Sequence, residues 1–140
     1  MDPDWLVGFI EAEGCFLVEV SASKTHKLSY QVKLNFSISQ HTKDALLMES
    51  LIEFLGCGHI ASRSADRKIA EYRVVSLNDI TGKIIPFLQK YPLQGYKQTD
   101  FEAYCKVAVL MKDKAHLTIE GLNQIQLIKN GMSRGKSKID

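Results

Sequence analysis

From residue 31 to residue 39 the chain alternates without a break. Val32, Leu34, Phe36 and Ile38 fall on one parity, and Gln31, Lys33, Asn35, Ser37 and Ser39 fall on the other. A period of two over this length is the mark of a strand in a sheet that is buried on one face only. Residues 15–23 read as a shorter strand before it, joined to residues 28–40 across the polar turn Lys24-Thr25-His26-Lys27. The period then changes. Thr42 is placed to cap an amphipathic helix running to Leu55, in which Ala45, Leu46, Met48, Leu51, Ile52 and Leu55 recur at helical spacing, and Gly56 and Gly58 end it. A second hairpin follows over residues 59–64 and 69–76, turning at Ala65-Asp66-Arg67-Lys68. Residues 78–91 form a helix interrupted near Pro86 and closed by Pro92, and residues 97–114 and 118–132 two more helices. The order is αββαββα with a trailing helix and no interdomain linker, one domain over residues 1–132. A small, basic tail follows at 133–140 and is expected to be mobile.

The first helix breaks a rule of charge. Asp2 is a good N-cap, Pro3 suits the first helical position, and Gly14 stands where a left-handed terminating residue belongs. Yet Glu11 and Glu13 occupy the last turn, where unpaired carbonyls already carry partial negative charge and a carboxylate costs about 0.3–1 kcal/mol. A bound cation is the simplest compensation. The two acids lie about 200° apart around the helix and do not share one small site. Gly8 and Ala12, four residues apart, leave one face nearly flat for the close approach of another backbone.

Composition narrows the possibilities only a little. The chain has 140 residues, enough for one ordinary domain with a sizeable core, and a formal net charge of +2. With 18 Lys and Arg against 16 Asp and Glu, any positive surface must come from local segregation. No apolar run reaches the roughly 20 residues of a membrane span and no signal-peptide pattern is present, so a soluble, intracellular protein without membrane association is expected. Three cysteines, Cys15, Cys57 and Cys105, are widely spaced and read as small core residues rather than a disulfide framework or zinc site. His26, His41, His59 and His116 are too scattered for metal-ligand spacing. No phosphate-cradling glycine loop or nucleophile elbow is found, and no small-molecule cofactor is expected.

The segment Leu6-Val7-Gly8-Phe9-Ile10-Glu11-Ala12-Glu13-Gly14 resembles the nine-residue signature of the LAGLIDADG homing endonucleases, with both acids present as glutamate. The likeness continues through residues 36–41, Leu55-Gly56-Cys57-Gly58, Lys97, Asp100-Phe101, Cys105-Lys106-Val107-Ala108 and His116-Leu117-Thr118. It covers roughly residues 3–130 and is most similar to the second half of two-motif, mitochondrial intron-encoded members. The resemblance implies an α+β fold with a saddle-shaped antiparallel sheet and helices on one face. The implied activity is site-specific cleavage of both strands of duplex DNA with short 3′ overhangs, and the implied localisation is mitochondrial. Carried over residue by residue, Glu13 is the metal-binding acid and the Ala12 carbonyl a second ligand. Mg²⁺ is the implied cofactor, with Mn²⁺ or Ca²⁺ able to substitute in binding. Gln40 and Lys97 fall where the family places supporting polar residues near the cleavage centre, and Glu11 supports the helix end or interface. Just after Gln40, where some members carry a basic residue, this chain has Asp44, with Lys43 as the nearest substitute.

The outward parity of the two hairpins offers Glu19, Ser21, Ser23, Gln31, Lys33, Asn35, Ser37, Ser39, Arg63, Glu71 and Arg73, with few simple charge pairs. These are side-chain types that read base edges in the major groove: Arg or Lys at guanine, Asn or Gln at adenine, Glu at cytosine. Turn residues Lys24, Lys27, Arg67 and Lys68 are placed to meet phosphates. A single motif supplies one acid and one recognition sheet. A complete site therefore calls for a second motif helix, expected from a homodimer formed through Trp5, Gly8, Phe9 and Ala12 on a palindromic or pseudo-palindromic target; a natural dimer, a separated half of a two-motif protein and a half engineered to self-pair all fit the sequence. Two other functions compete: an RNA-splicing maturase using the basic end around Lys129, Arg134, Lys136 and Lys138, and a DNA-binding module that no longer cuts.

Overall fold

The structure, a computed structural model, describes residues 1–23, 29–41, 44–62 and 68–132. Helix α1 (Pro3–Glu13) leads into β1 (Gly14–Ala22), followed by β2 (Tyr30–His41), α2 (Ala45–Leu55), β3 (His59–Ser62) and β4 (Ile69–Val74). Next come α3 (Leu77–Asp79), a π-helical turn (Ile80–Ile84), α4 (Ile85–Lys90), α5 (Gly95–Lys112), a 3-10 turn (Ala115–Leu117) and α6 (Ile119–Asn130). The expected α+β order holds. The four strands hydrogen-bond in the order β1-β2-β4-β3, with β2·β4 and β3·β4 antiparallel.

Two compact units are formed, Met1–Cys15 with Asn35–Gln94, and Phe16–Leu34 with Gly95–Asp140. In the first, the even positions Phe36, Ile38, Ala70, Tyr72 and Val74 are buried with Leu6, Ile10, Met48, Leu51, Ile84 and Leu88. Helix α2 packs on β3 and β4 through Met48, Leu51 and Leu55. In the second, Phe16, Val18, Val32 and Leu34 are buried with Phe101, Tyr104, Val107, Met111 and Ile125, and α5 packs on α6. Phe16 stands between Phe101 and Tyr104, with ring centroids at 5.5 and 5.2 Å.

Several boundaries differ from those read in the sequence. The cap of α2 is Asp44, whose side chain makes no capping bond, and Thr42 lies outside the described residues. At the other end Gly56 adopts φ 75°, the left-handed terminator, and Lys83 donates its ammonium to the Gly56 carbonyl. The interruption expected at Pro86 sits earlier, as the π turn in which the Ile85 N–H reaches the Ile80 carbonyl. Proline lacks an N–H and crowds the carbonyl four residues back, so the helix widens before Pro86 rather than breaking at it. Helix α6 begins as read, with the Thr118 hydroxyl accepting from the Gly121 N–H at 3.0 Å. The turns at 24–27 and 65–67 and the tail at 133–140 lie outside the described residues.

Candidate active site and nucleic-acid interface

The motif helix is built to start firmly and to stop abruptly. Asp2 accepts the Asp4 N–H at 3.0 Å and Pro3 opens the helix, while its last turn holds no basic residue. The expected left-handed turn at Gly14 is absent, because Gly14 has φ −78° and ψ 153° and passes straight into β1. Any residue adopts that conformation, so room, not backbone freedom, selects glycine here. A Cβ at Gly14 would stand 2.7 Å from the Ile10 carbonyl oxygen. The chain thus turns from helix to strand within one residue, leaving Ala12 and Glu13 exposed at the helix end.

The two acids have separate fates. Glu11 is half-buried, and one of its carboxylate oxygens accepts the backbone N–H of Gln94. That bond ties the end of α1 to the segment following α4, which accounts for an acid in the last turn of the helix without a metal. Glu13 is exposed and turned elsewhere. The half-turn offset between them therefore divides them into a structural clasp and an open carboxylate.

Gln40, also in the first unit, uses its side-chain oxygen to accept the neighbouring His41 N–H at 3.0 Å. Lys97 is half-buried in the first turn of α5 in the second unit, its ammonium 6.0 Å from the Tyr96 ring centroid. Lys43 lies outside the described residues, and Asp44 is half-buried at the start of α2.

On the expected partner face, Gly8 and Ala12 are exposed, Trp5 is 47% exposed, and Trp5 and Phe9 stack at 5.2 Å. A Cβ on Gly8 would meet nothing within 4 Å. Among the described residues, then, no backbone takes advantage of the flat stripe. Beside it an open groove of about 520 Å³ runs past Val7, Gly8, Glu11, Lys90, Tyr91 and Gln94.

The polar sheet face has the expected parity. In the second unit Glu19 and Lys33 are exposed and Ser21, Ser23 and Gln31 half-buried; in the first, Asn35, Ser37, Ser39, Glu71 and Arg73 are half-buried. Lys68 is exposed just before β4, while Lys24, Lys27, Arg63 and Arg67 lie outside the described residues. The Asn35 side-chain oxygen is buried and has no hydrogen-bond partner among the described residues. The face contains one tight charge pair, Arg73 with Glu71 at 2.6 Å, because residues two apart on a strand share a face. Register also adds residues that were not singled out: His59 lies opposite Arg73 and Ala61 opposite Glu71. Their shared parity with Arg63 was the available signal.

A family profile for LAGLIDADG endonucleases matches residues 6–108. The chain belongs to the LAGLIDADG endonuclease family. Probable intron-encoded endonuclease 2 of Neurospora crassa is 40% identical over 129 residues, covering 92% of this chain and 27% of that protein. DNA endonuclease I-CvuI of Chlorella vulgaris is 29% identical over 138 residues, covering 90% of this chain and 84% of that one. The LAGLIDADG enzyme I-SmaMI, solved bound to cleaved DNA, superposes with a TM-score of 0.92 at 44% identity, covering 96% of this chain and 44% of that chain. I-SmaMI has also been solved on an uncleaved target in the presence of calcium ions. The chain spans about a quarter of the Neurospora relative and under half of I-SmaMI.

Proposed function

We propose that the chain is a metal-dependent, site-specific DNA endonuclease that cuts both strands of a palindromic or pseudo-palindromic duplex as a homodimer, leaving short 3′ overhangs. The observation that carries this reading is the exposed Ala12-Glu13 pair at the end of a motif helix whose small-residue face is uncovered. I-SmaMI on cleaved DNA supports duplex DNA as the substrate class, and its calcium-containing complex supports a divalent ion.

The donor set suits a hard cation. Glu13 offers a carboxylate and Ala12 a backbone carbonyl, and among the described residues no group of three or more His, Cys, Asp or Glu side chains gathers into a full protein cage. Mg²⁺ needs no such cage, since it keeps several waters and takes one or two carboxylates plus phosphate oxygens. When bound, the ion supplies an attacking water of lowered pKa and offsets charge on the phosphate and leaving oxygen. The chain's own tasks are positional. Asp2 and Pro3 start the helix, Gly14 ends it where Glu13 is exposed, and Glu11 anchors the last turn to Gln94. Gln40 and Lys97 are supporting polar groups in this reading. Trp5, Gly8, Phe9 and Ala12 bring a second copy alongside, and a second Glu13 with it. The outward sheet face carries the base-reading residues, with Lys68 among the phosphate contacts. By the intron-encoded character of the relatives, the protein works in the mitochondrion.

The test combines solution mass with cleavage of a duplex library carrying randomised palindromes. Mg²⁺-dependent double-strand cuts by a species of twice the chain mass support the reading. Enrichment by binding without cuts would leave a DNA-binding module instead, and Mg²⁺-dependent binding of a folded intron with no DNA preference would favour the maturase function.

A further inference from the structure

The Glu71–Arg73 pair divides the arginine in two. Glu71 Oε1 accepts from Arg73 Nε at 2.8 Å and lies 2.6 Å from Nη2, so one carboxylate oxygen grips the inner edge of the guanidinium. The other oxygen, Oε2, accepts weakly from the Ser39 hydroxyl at 3.4 Å, across the β2·β4 register in which Ser39 faces Glu71. Glu71 is the more buried partner, with 13% of its side chain exposed against 34% for Arg73. What remains on offer is the outer edge, Nη1 with the second hydrogen of Nη2. Those donors form the fork that matches the O6 and N7 acceptors of guanine in the major groove.

Resting on the DNA-cleaving reading above, we infer that Glu71 is not itself a base reader but a positioning residue that aims Arg73 at one guanine of the target. A glutamate that reads cytosine must present free acceptor oxygens to the base. Here Oε1 is taken by Arg73, and Oε2 is turned toward Ser39. The strand geometry holds the pair in place, since residues 71 and 73 lie on one face and Arg73 is flanked by Ser37 on β2 and His59 on β3. A long side chain that would otherwise sample many rotamers is fixed before it meets DNA, which lowers the ordering cost of binding. Target specificity at that base pair therefore depends on two residues, of which only one touches the base.

The experiment is binding selection of the full-length protein on a fully randomised duplex library in Ca²⁺, followed by sequencing, for wild type, Arg73→Lys, Glu71→Ala and Glu71→Gln. Wild type is expected to prefer guanine at one position per half-site by about 5- to 150-fold, the span of a good bidentate contact. Arg73→Lys and Glu71→Ala should both relax that same position and no other, and Glu71→Gln, which keeps a neutral acceptor, should fall between. If Glu71→Ala instead alters a separate cytosine position, Glu71 reads a base and the inference is overturned. An unchanged profile in Glu71→Ala overturns it equally. A wild-type protein that selects no duplex sequence at all would refute the DNA-cleaving reading beneath it, a result distinct from both.

Discussion

The Tyr72 hydroxyl donates to the backbone carbonyl of Cys57 at 2.7 Å, inside the core of the first unit. Both residues are buried, and the next residue, Gly58, has φ +97° with its Cα so close to the tyrosine that a Cβ would stand 2.5 Å from the ring. The loop from α2 into β3 is thus held by this hydroxyl together with the Lys83 ammonium on the Gly56 carbonyl. Tyr72→Phe keeps the ring and leaves that carbonyl buried without its partner, which costs about 1–3 kcal/mol. Denaturant unfolding should show the loss, with the slope unchanged. A stability equal to wild type would mean that water reaches the Cys57 carbonyl.

Cys105, half-buried on α5, is held protonated. Burial pushes its thiol up to about 11, and the Glu102 carboxylate adds to the effect. Only the thiolate reacts with alkylating reagents, so at pH 8 this residue should be modified on the order of 100-fold more slowly than the same thiol in the unfolded chain. Burial raises the Cys57 thiol as well. The sign for stability follows. Below the ordinary thiol value of 9.0 both folded and unfolded chains hold the Cys105 proton and its contribution is complete; as pH rises from there toward about 11, only the unfolded chain releases it, and stability falls. Peptide mapping after timed alkylation checks the first expectation and denaturation across pH 8–11 the second.

The parity of β2, the αββα order, the start of the first helix and the stop of the second were legible because each rests on local chemistry. Alternation from Val32 to Ile38, the Asp2-Pro3 start and the Gly56 stop are all decided within a turn or a strand. Gly14 was placed correctly and explained wrongly, since a glycine chosen for room looks like one chosen for φ until the Ile10 carbonyl is located. The clasp between Glu11 and Gln94 joins residues 83 apart and leaves no periodic trace. By contrast, the Glu71–Arg73 pair could have been read, because opposite charges two residues apart on a strand necessarily share a face. The cap of α2 was misread for a subtler reason: Thr42 is the better capping residue, but the helix begins after Asp44, which caps nothing with its side chain.

Two glycines of the motif make opposite predictions. Gly8 lies mid-helix with open space around it, so Gly8→Leu should raise the stability of the single chain by about 0.5–1 kcal/mol through helix propensity alone. Proposed as it is for close approach of a second copy, the same substitution should abolish the dimer and with it cleavage. Gly14→Ala should do the reverse locally, destabilising the fold by about 1–3 kcal/mol as the Ile10 carbonyl is forced aside. Sedimentation and thermal melting of the two variants separate these outcomes. A Gly8→Leu protein that still sediments as a dimer would move the interface off this helix.

The last turn of α1 carries two acids with different tasks, and conservative substitution should separate them. Glu13→Gln removes charge from an exposed side chain at the negative end of the helix, so stability should rise slightly, by about 0.3–1 kcal/mol, while Mg²⁺-dependent cleavage falls to background. Glu11→Gln weakens a charge-assisted bond to the Gln94 N–H at a half-buried position, so it should cost about 1 kcal/mol of stability and reduce cleavage only as far as the helix end loosens. Chelation of the metal should reproduce the Glu13→Gln loss of cleavage on wild type, leaving its melting curve in place. The decisive comparison is cleavage at saturating Mg²⁺. If Glu11→Gln is as dead as Glu13→Gln while unfolding like wild type, then Glu11 belongs to the chemistry and the clasp to Gln94 must open when DNA binds.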